Sequence, residues 1–491
     1  SFNGDRYVVD SIDFNDVNFV NVSAHELTHQ WFGDLVTGKS SDDHWLHEAF
    51  ATYYARLIDA SLFGKAYNDY NVYQYDRQII KNQNTDTIPL HRPNASSLTY
   101  YQKGARIVQM LRQKIGDSVY RKLIKTYLTK YRFGNASTSD FKQLLYDIKK
   151  DSLPAFFNLW FESSTIPKFV IKQKADSLIF DRNTHQLPID FQLIYPDKKL
   201  IITKSRSFKL PDYKQLKTVI VNPDNQKLYD IHFERNSLWI KNQILSAPNF
   251  IDRFIALKDI RHWPGAEKDP IYNELINRND YYPIYKEILS QIKLNLNGTH
   301  LNFIKKLFEK DLKTRQQIAV QLDKIPLTLK QEYKTLLNDA SYRTKQAVLW
   351  HYWAQFPKEQ SGLLNQTQEI NGGNDKAFRL TWLSLALITP GYNQNKKTQY
   401  LNELINYASP DYNMLFRLNT FELLINLQII TPQVIKYLLD AGLHFNWRLH
   451  QPARGYLKHL YQTPAYQKMI NDALSSLPEK SQAFYKSFLN H

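Results

Sequence analysis

Two histidines four residues apart, with a glutamate directly after the first, constrain this chain more than any other feature: His25-Glu26-Leu27-Thr28-His29. Residues at i and i+4 share one face of an α-helix, so both imidazoles can reach a single ion only if the segment is helical. Glu26 then lies beside that ion, where it can take a proton from a bound water. Catalytic zinc normally takes three protein ligands and keeps one position open, so a third ligand is required. Glu48 supplies it from nineteen residues beyond His29, on a second helix that returns antiparallel to the first. The expected metal set is His25, His29 and Glu48, with one Zn2+ per chain.

The surrounding pattern predicts a mainly α, multidomain protein. Asp16 to Val36 reads as one helix, with Gly33 and Gly38 near its end, and Asp42-Asp43 opens a second that runs to Gly64. Ser96-Ser97 precede a third from Leu98 to Ile115, Gly116-Asp117 open a fourth, Ser137 to Asp140 starts another, and Pro154 suits a first helical turn. After Ile166-Pro167 the period shortens. Phe169 to Ile171, Ile189 to Tyr195, Leu200 to Thr203, Thr218 to Val221 and Leu238 to Ile240 read as strands of a small β-sandwich, punctuated at Pro196-Asp197, Pro211-Asp212 and Asn222-Pro223-Asp224. From Asn249 helices return. Arg343, Arg379, Arg417 and Arg454 recur at steps of 36, 38 and 37 residues, a period of stacked helix pairs of the HEAT or armadillo type. The domains expected are 1–166 (catalytic), 167–246 (β-sandwich) and 247–491 (α-helical, superhelical).

Composition removes competing readings. There is no cysteine, which excludes disulfides and thiolate metal sites. The net charge of +16 raises nucleic-acid binding, but the basic residues are scattered, with no run of five and no recognised nucleic-acid module. No apolar stretch is long enough for a membrane helix. His44 and His47 flank Glu48's helix start and read as polar helix residues rather than further ligands.

Val22 to Thr37, with its His-Glu-Leu-Thr-His-Gln-Trp-Phe-Gly core, and Trp45 to Tyr53 together resemble the aminopeptidase N family of gluzincin zinc metallopeptidases nearly residue for residue. His47 and Ala49 stand where that family usually has Asn or Ser and Gly. Tyr100-Tyr101-Gln102-Lys103-Gly104 is similar to the family's Tyr-x-Lys-Gly segment. The resemblance implies Tyr101 as the donor to a developing oxyanion, Glu26 as the general base, a thermolysin-like catalytic domain and removal of single N-terminal residues from peptides. It also implies a preceding β-rich domain and a Gly-x-Met-Glu-Asn segment that holds the substrate's free amine; the 24 residues before His25 lack that segment, and Phe2 to Val9 looks like the strand that would follow it. The expected partners are therefore peptide substrates and an N-terminal domain of the same protein, with no nucleic acid and no membrane span. Without its amine anchor the chain is expected to bind zinc but to cleave aminoacyl-arylamides slowly. A gluzincin endopeptidase and a non-catalytic helical scaffold with a vestigial metal site remain the alternatives.

Overall fold

The computed structural model describes residues 8–182, 189–194, 199–203 and 205–490. The chain divides into two compact units, one formed by Ser1–Asn18 with His300–His491, the other by Phe19–Thr299. Both are built mainly from helices. Among the described residues, no helix is long and apolar enough to cross a membrane.

In the first unit a single helical turn, α1 (Asp13–Asp16), is held by its own last residue. Asp16 accepts hydrogen bonds from Gln316 (2.6 Å), from Ser341 Oγ (2.5 Å) and from the Arg343 backbone (3.0 Å). The recurring arginines of this unit pin helix to helix. Arg379 makes a two-pronged pair with Glu403 at 2.7 Å, Arg417 reaches Asp440 at 2.8 Å, and Arg454 donates to the Gly442 carbonyl at 2.7 Å. Bidentate guanidinium–carboxylate geometry fixes orientation as well as distance.

The second unit carries the motifs. Its helices are α2 (Val20–Thr28), α3 (Trp45–Phe63), α4 (Lys65–Asn82), α5 (Gly104–Ile115), α6 (Asp117–Lys130), α7 (Thr138–Lys149) and α8 (Pro154–Trp160). A two-stranded parallel ribbon joins β1 (Val36–Gly38) to β2 (Gly134–Ala136). Apolar faces of these helices meet in one core that includes Phe32, Trp45, Phe50, Ile107, Leu123 and Phe141. Local chemistry sets the boundaries. Ser137 and Asp140 form a reciprocal capping box at the start of α7, and Pro154 opens α8 where its missing N–H costs nothing. Gly64, at φ +88°, ends α3 in a conformation that other residues resist.

The structure departs from the sequence pattern at two places. The helix expected from Asp16 to Val36 is only α2, nine residues long. Gly33 adopts φ +144°, its N–H bonds the Val36 carbonyl at 3.0 Å, and the chain turns after His29 instead of continuing. The strand expected at Leu238 to Ile240 is part of a helix, α9 (Ser237–Ser246), because Asn236 caps it by accepting from Trp239 N at 2.9 Å. Before α9 run β3 (Lys168–Lys174), β4 (Ser177–Arg182), β5 (Ile189–Ile194), β6 (Lys199–Thr203), β7 (Ser207–Lys209), β8 (Thr218–Val221) and β9 (Asp230–Glu234). They make a four-stranded sheet, β7-β4-β3-β9, and a three-stranded sheet, β6-β5-β8. Phe169 and Ile171 of the first sheet share a core with Val219 of the second. The expected turn at Pro196-Asp197 and residues 2–7 of the expected N-terminal strand lie outside the described residues; Val8 and Val9 are not in a strand. Four further elements, α10 (Phe250–Asp259), α11 (Gly265–Ile276), α12 (Pro283–Ile292) and the start of the next helix, complete the unit.

Candidate metal centre

α2 and α3 pack antiparallel and present matching polar stripes. On α2 the stripe is Asn21, His25 and His29, each one turn from the next; on α3 it is Glu48, Thr52 and, further along, Asp59. Asn21 donates to Asp59 at 2.6 Å, His25 Nδ1 faces Thr52 Oγ1 at 3.4 Å, and both imidazoles meet Glu48. His25, His29 and Glu48 form the one cluster among the described residues whose donor atoms converge closely enough for a metal.

The triangle they make is small. His25 Nε2 lies 3.1 Å from Glu48 Oε2 and 3.1 Å from His29 Nε2, and His29 Nε2 lies 3.5 Å from Glu48 Oε2. A tetrahedral ion with bonds of about 2 Å has ligand–ligand edges of about 3.3 Å, so the triangle matches one face of such a coordination shell. The chemistry of the donors agrees. His29 Nδ1 bonds the Phe32 carbonyl at 3.0 Å, which places its proton on Nδ1 and its lone pair on Nε2. With His25 in the same tautomer, three lone pairs converge on one point, which a cation stabilises and an empty gap does not.

The turn after α2 makes this possible. Gly33 sits at φ +144°, a conformation other residues resist, and a Cβ there would stand 3.1 Å from the His29 carbonyl. The Glu48 end is equally tight, since Gly104 of α5 packs its Cα face on Ala49, where an added Cβ would come within 2.6 Å.

Electrostatics distinguish the ligands. Burial alone would raise the Glu48 carboxyl, but Nε2–H donors of protonated His25 and His29 would hold it well below the usual carboxylate range, protons that a bound cation would replace. His29 is raised by its hydrogen bond to Glu48, against the opposing pull of burial. Glu26 is partly exposed on α2, and its charge acts on both His29 and Tyr101.

The Tyr101 ring stacks on the His25 ring at 5.5 Å and 18°. The helix expected from Leu98 to Ile115 begins as a π-helical turn, Leu98–Lys103, and becomes α5 only at Gly104. Such turns are wider than α-helix and recur at functional sites. Burial, then the charge of Glu48 and a hydrogen bond with it, push the Tyr101 phenol up to about 12, so it keeps its proton at neutral pH. Tyr100 points elsewhere: its hydroxyl donates to the Arg92 carbonyl at 2.6 Å and accepts from Ala95 N at 3.2 Å.

The two extra histidines also separate. His47 Nε2 accepts from Gly38 N at 2.6 Å, and burial lowers its pKa, so it is a neutral structural acceptor. His44 Nε2 lies 3.6 Å from the outer oxygen, Oε1, of Glu48. Sequence reasoning passed over Thr52, Arg56 and Gln102. Arg56, buried one turn beyond Thr52, donates to Gln102 Oε1 at 2.6 Å and to the Gln102 carbonyl at 3.3 Å, gripping the residue after Tyr101. Polar residues at 48, 52 and 56, one turn apart on a helix otherwise rich in buried apolar residues, were the available signal.

The chain is similar in part to known proteins. Residues 9–160 match the peptidase family M1 domain. "Probable aminopeptidase 1" of Sulfurisphaera tokodaii is 25% identical over 56% of this chain and 41% of its own length. "Leucyl aminopeptidase" of Saccharolobus solfataricus is 26% identical over 54% of this chain and 36% of its own. The match therefore spans about two fifths of these curated relatives or less. A crystal structure of Legionella pneumophila aminopeptidase A in complex with aspartic acid aligns over 93% of this chain and 66% of that one, with 15% identity and a TM-score of 0.49. Through its segment 9–160, the chain is similar to the peptidase family M1 domain.

Proposed function

We propose that this chain is a zinc-dependent metallo-aminopeptidase that releases N-terminal residues from peptides, with His25, His29 and Glu48 holding one zinc ion, and Glu26 and Tyr101 acting on the substrate. The convergence of three lone pairs at 3.1–3.5 Å, with a protonated phenol stacked against one ligand, carries the reading. The names of the relatives support the exopeptidase part of it. In the same reading residues 1–166 are the catalytic domain, 167–246 a β-sandwich and 247–491 an α-helical, HEAT-like superhelical domain.

When bound, zinc supplies Lewis acidity that lowers the pKa of a water and polarises the scissile carbonyl. The chain's own groups manage protons and charge. The Glu26 carboxylate accepts the proton released by the attacking water and delivers it to the departing amine. The Tyr101 hydroxyl, kept protonated, turns from Glu48 to donate to the carbonyl oxygen as negative charge develops there. Both His rings hold their Nε2 lone pairs inward because Nδ1 is engaged behind them. Recognition of the substrate's free amine falls to a group outside this set, and an N-terminal domain of the same protein is the proposed partner that supplies it.

A paired-substrate assay tests the reading. With the amine-recognising N-terminal domain present, the zinc-loaded protein should hydrolyse a peptide with a free N-terminus and ignore its N-acetylated twin, while Glu26→Gln keeps about one zinc and loses turnover by 10²-fold or more. Equal cleavage of both twins would indicate an endopeptidase instead. Zinc binding with no hydrolysis of either would leave a scaffold, and loss of zinc in Glu26→Gln would refute the role given to that residue.

A further inference from the structure

We infer that Thr52 is a positioning residue for His25: its hydroxyl accepts the Nδ1 proton and so holds the imidazole with Nε2 toward Glu48. The inference rests on the zinc reading above and names a residue that the motif does not contain. Each ligand histidine needs a partner behind the ring, because an imidazole free to flip or change tautomer offers its lone pair only part of the time. His29 has the Phe32 carbonyl at 3.0 Å. The group facing His25 Nδ1 is Thr52 Oγ1 at 3.4 Å, and Thr52 is only 5% exposed.

Its place on α3 explains why this residue serves. Thr52 lies one turn after Glu48, so the same helical face that delivers the carboxylate to Nε2 delivers the hydroxyl to Nδ1 of the same ring. Asn21, one turn before His25, and Asp59, two turns after Thr52, are bonded at 2.6 Å and keep the two stripes in register there. A threonine buried in a helix interior commonly satisfies its hydroxyl on the carbonyl four residues back, as Thr28 does with Ala24 at 2.8 Å. Thr52 Oγ1 is directed at the histidine instead. Because its methyl group also packs, the hydroxyl and the methyl must be tested separately.

Zinc affinity measured by competition with a chromogenic chelator separates them, using the full chain and two variants. Thr52→Val keeps shape and removes the acceptor, and should raise the zinc Kd by 10- to 100-fold. Thr52→Ser keeps the acceptor and should restore the affinity to within about threefold of the parent, with metal-free melting temperatures reported for all three. If the parent binds zinc and Thr52→Val binds it equally well, the role of Thr52 falls and the zinc site stands. If Val and Ser weaken binding alike, packing rather than the hydroxyl is responsible, and the inference is overturned. A parent chain that binds no zinc overturns the site and this inference together.

Discussion

The Tyr101 ring lies over the His25 ring, centroids 5.5 Å apart and 18° from parallel, so one side chain both packs on a candidate ligand and holds a hydroxyl beside Glu48. Packing and chemistry are therefore separable at this position. Tyr101→Phe should keep the stack and the zinc affinity, and lower kcat by 10² to 10³ with little change in KM. Steady-state kinetics beside a metal titration checks this; an unchanged kcat would remove Tyr101 from the reaction.

Arg56 grips Gln102, the residue next to the same tyrosine. Its guanidinium is buried, bonds Gln102 twice, and leaves Nε and Nη1 without hydrogen-bond partners, an arrangement that adds little stability by itself. Arg56→Met should leave the melting temperature within a few degrees and reduce kcat about tenfold by loosening the π-helical turn. In a Tyr101→Phe background the same change should have almost no further effect, and a double-mutant cycle reads that coupling. Additive losses would show that Arg56 does not work through Tyr101.

Gly104 sets how closely α5 approaches α3. A methyl group there would meet Ala49 Cβ at 2.6 Å, one residue from Glu48. Gly104→Ala should cost about 1–3 kcal/mol by overpacking, in spite of alanine's better helix propensity. Denaturant unfolding measures it, and a gain in stability would mean that the two helices can separate without cost.

Away from the candidate metal centre, Asp252 at the start of α10 is buried, which raises its carboxyl to about 7 even though it accepts from Asp224 N at 2.8 Å. In the unfolded chain the group ionises near 3.8. Between those values the folded state holds the extra proton, so this site contributes stability at low pH that is lost as pH rises through about 7. Asp252→Asn should therefore gain on the parent as pH rises from 4 to 8, by at most about 4 kcal/mol. Melting curves across that range check the sign; a constant difference would show that Asp252 is ionised throughout.

Much of the site could be read from residue spacing, because helical spacing is a local property. His25 and His29 share a face wherever the segment is helical, and Glu48 reaches them from any second helix that returns alongside. The capping box at Ser137 and Asp140 and the stop at Gly64 were legible for the same reason. The end of α2 was not. Gly33 was noted only as a helix end, whereas its backbone closes a turn on Val36 and ends the helix eight residues earlier than the apolar pattern suggests. Leu238 to Ile240 misled because three apolar residues in a row fit a strand or a buried helix equally, and the cap at Asn236 decided between them.

By itself, the sequence determined the chemistry on offer: two imidazoles and a carboxylate at metal-ligand spacing, a glutamate beside them, and a chain without thiols. Tertiary structure decided what surrounds that chemistry. It put Thr52 behind His25, opened a π-helical turn to aim Tyr101 while Tyr100 turned away, and set Gly104 against Ala49 beside Glu48. His25 and Thr52 are 27 positions apart, Ala49 and Gly104 are 55 apart and His25 and Tyr101 are 76 apart, and these relationships depend on how closely helices pack. That closeness is not carried by local spacing.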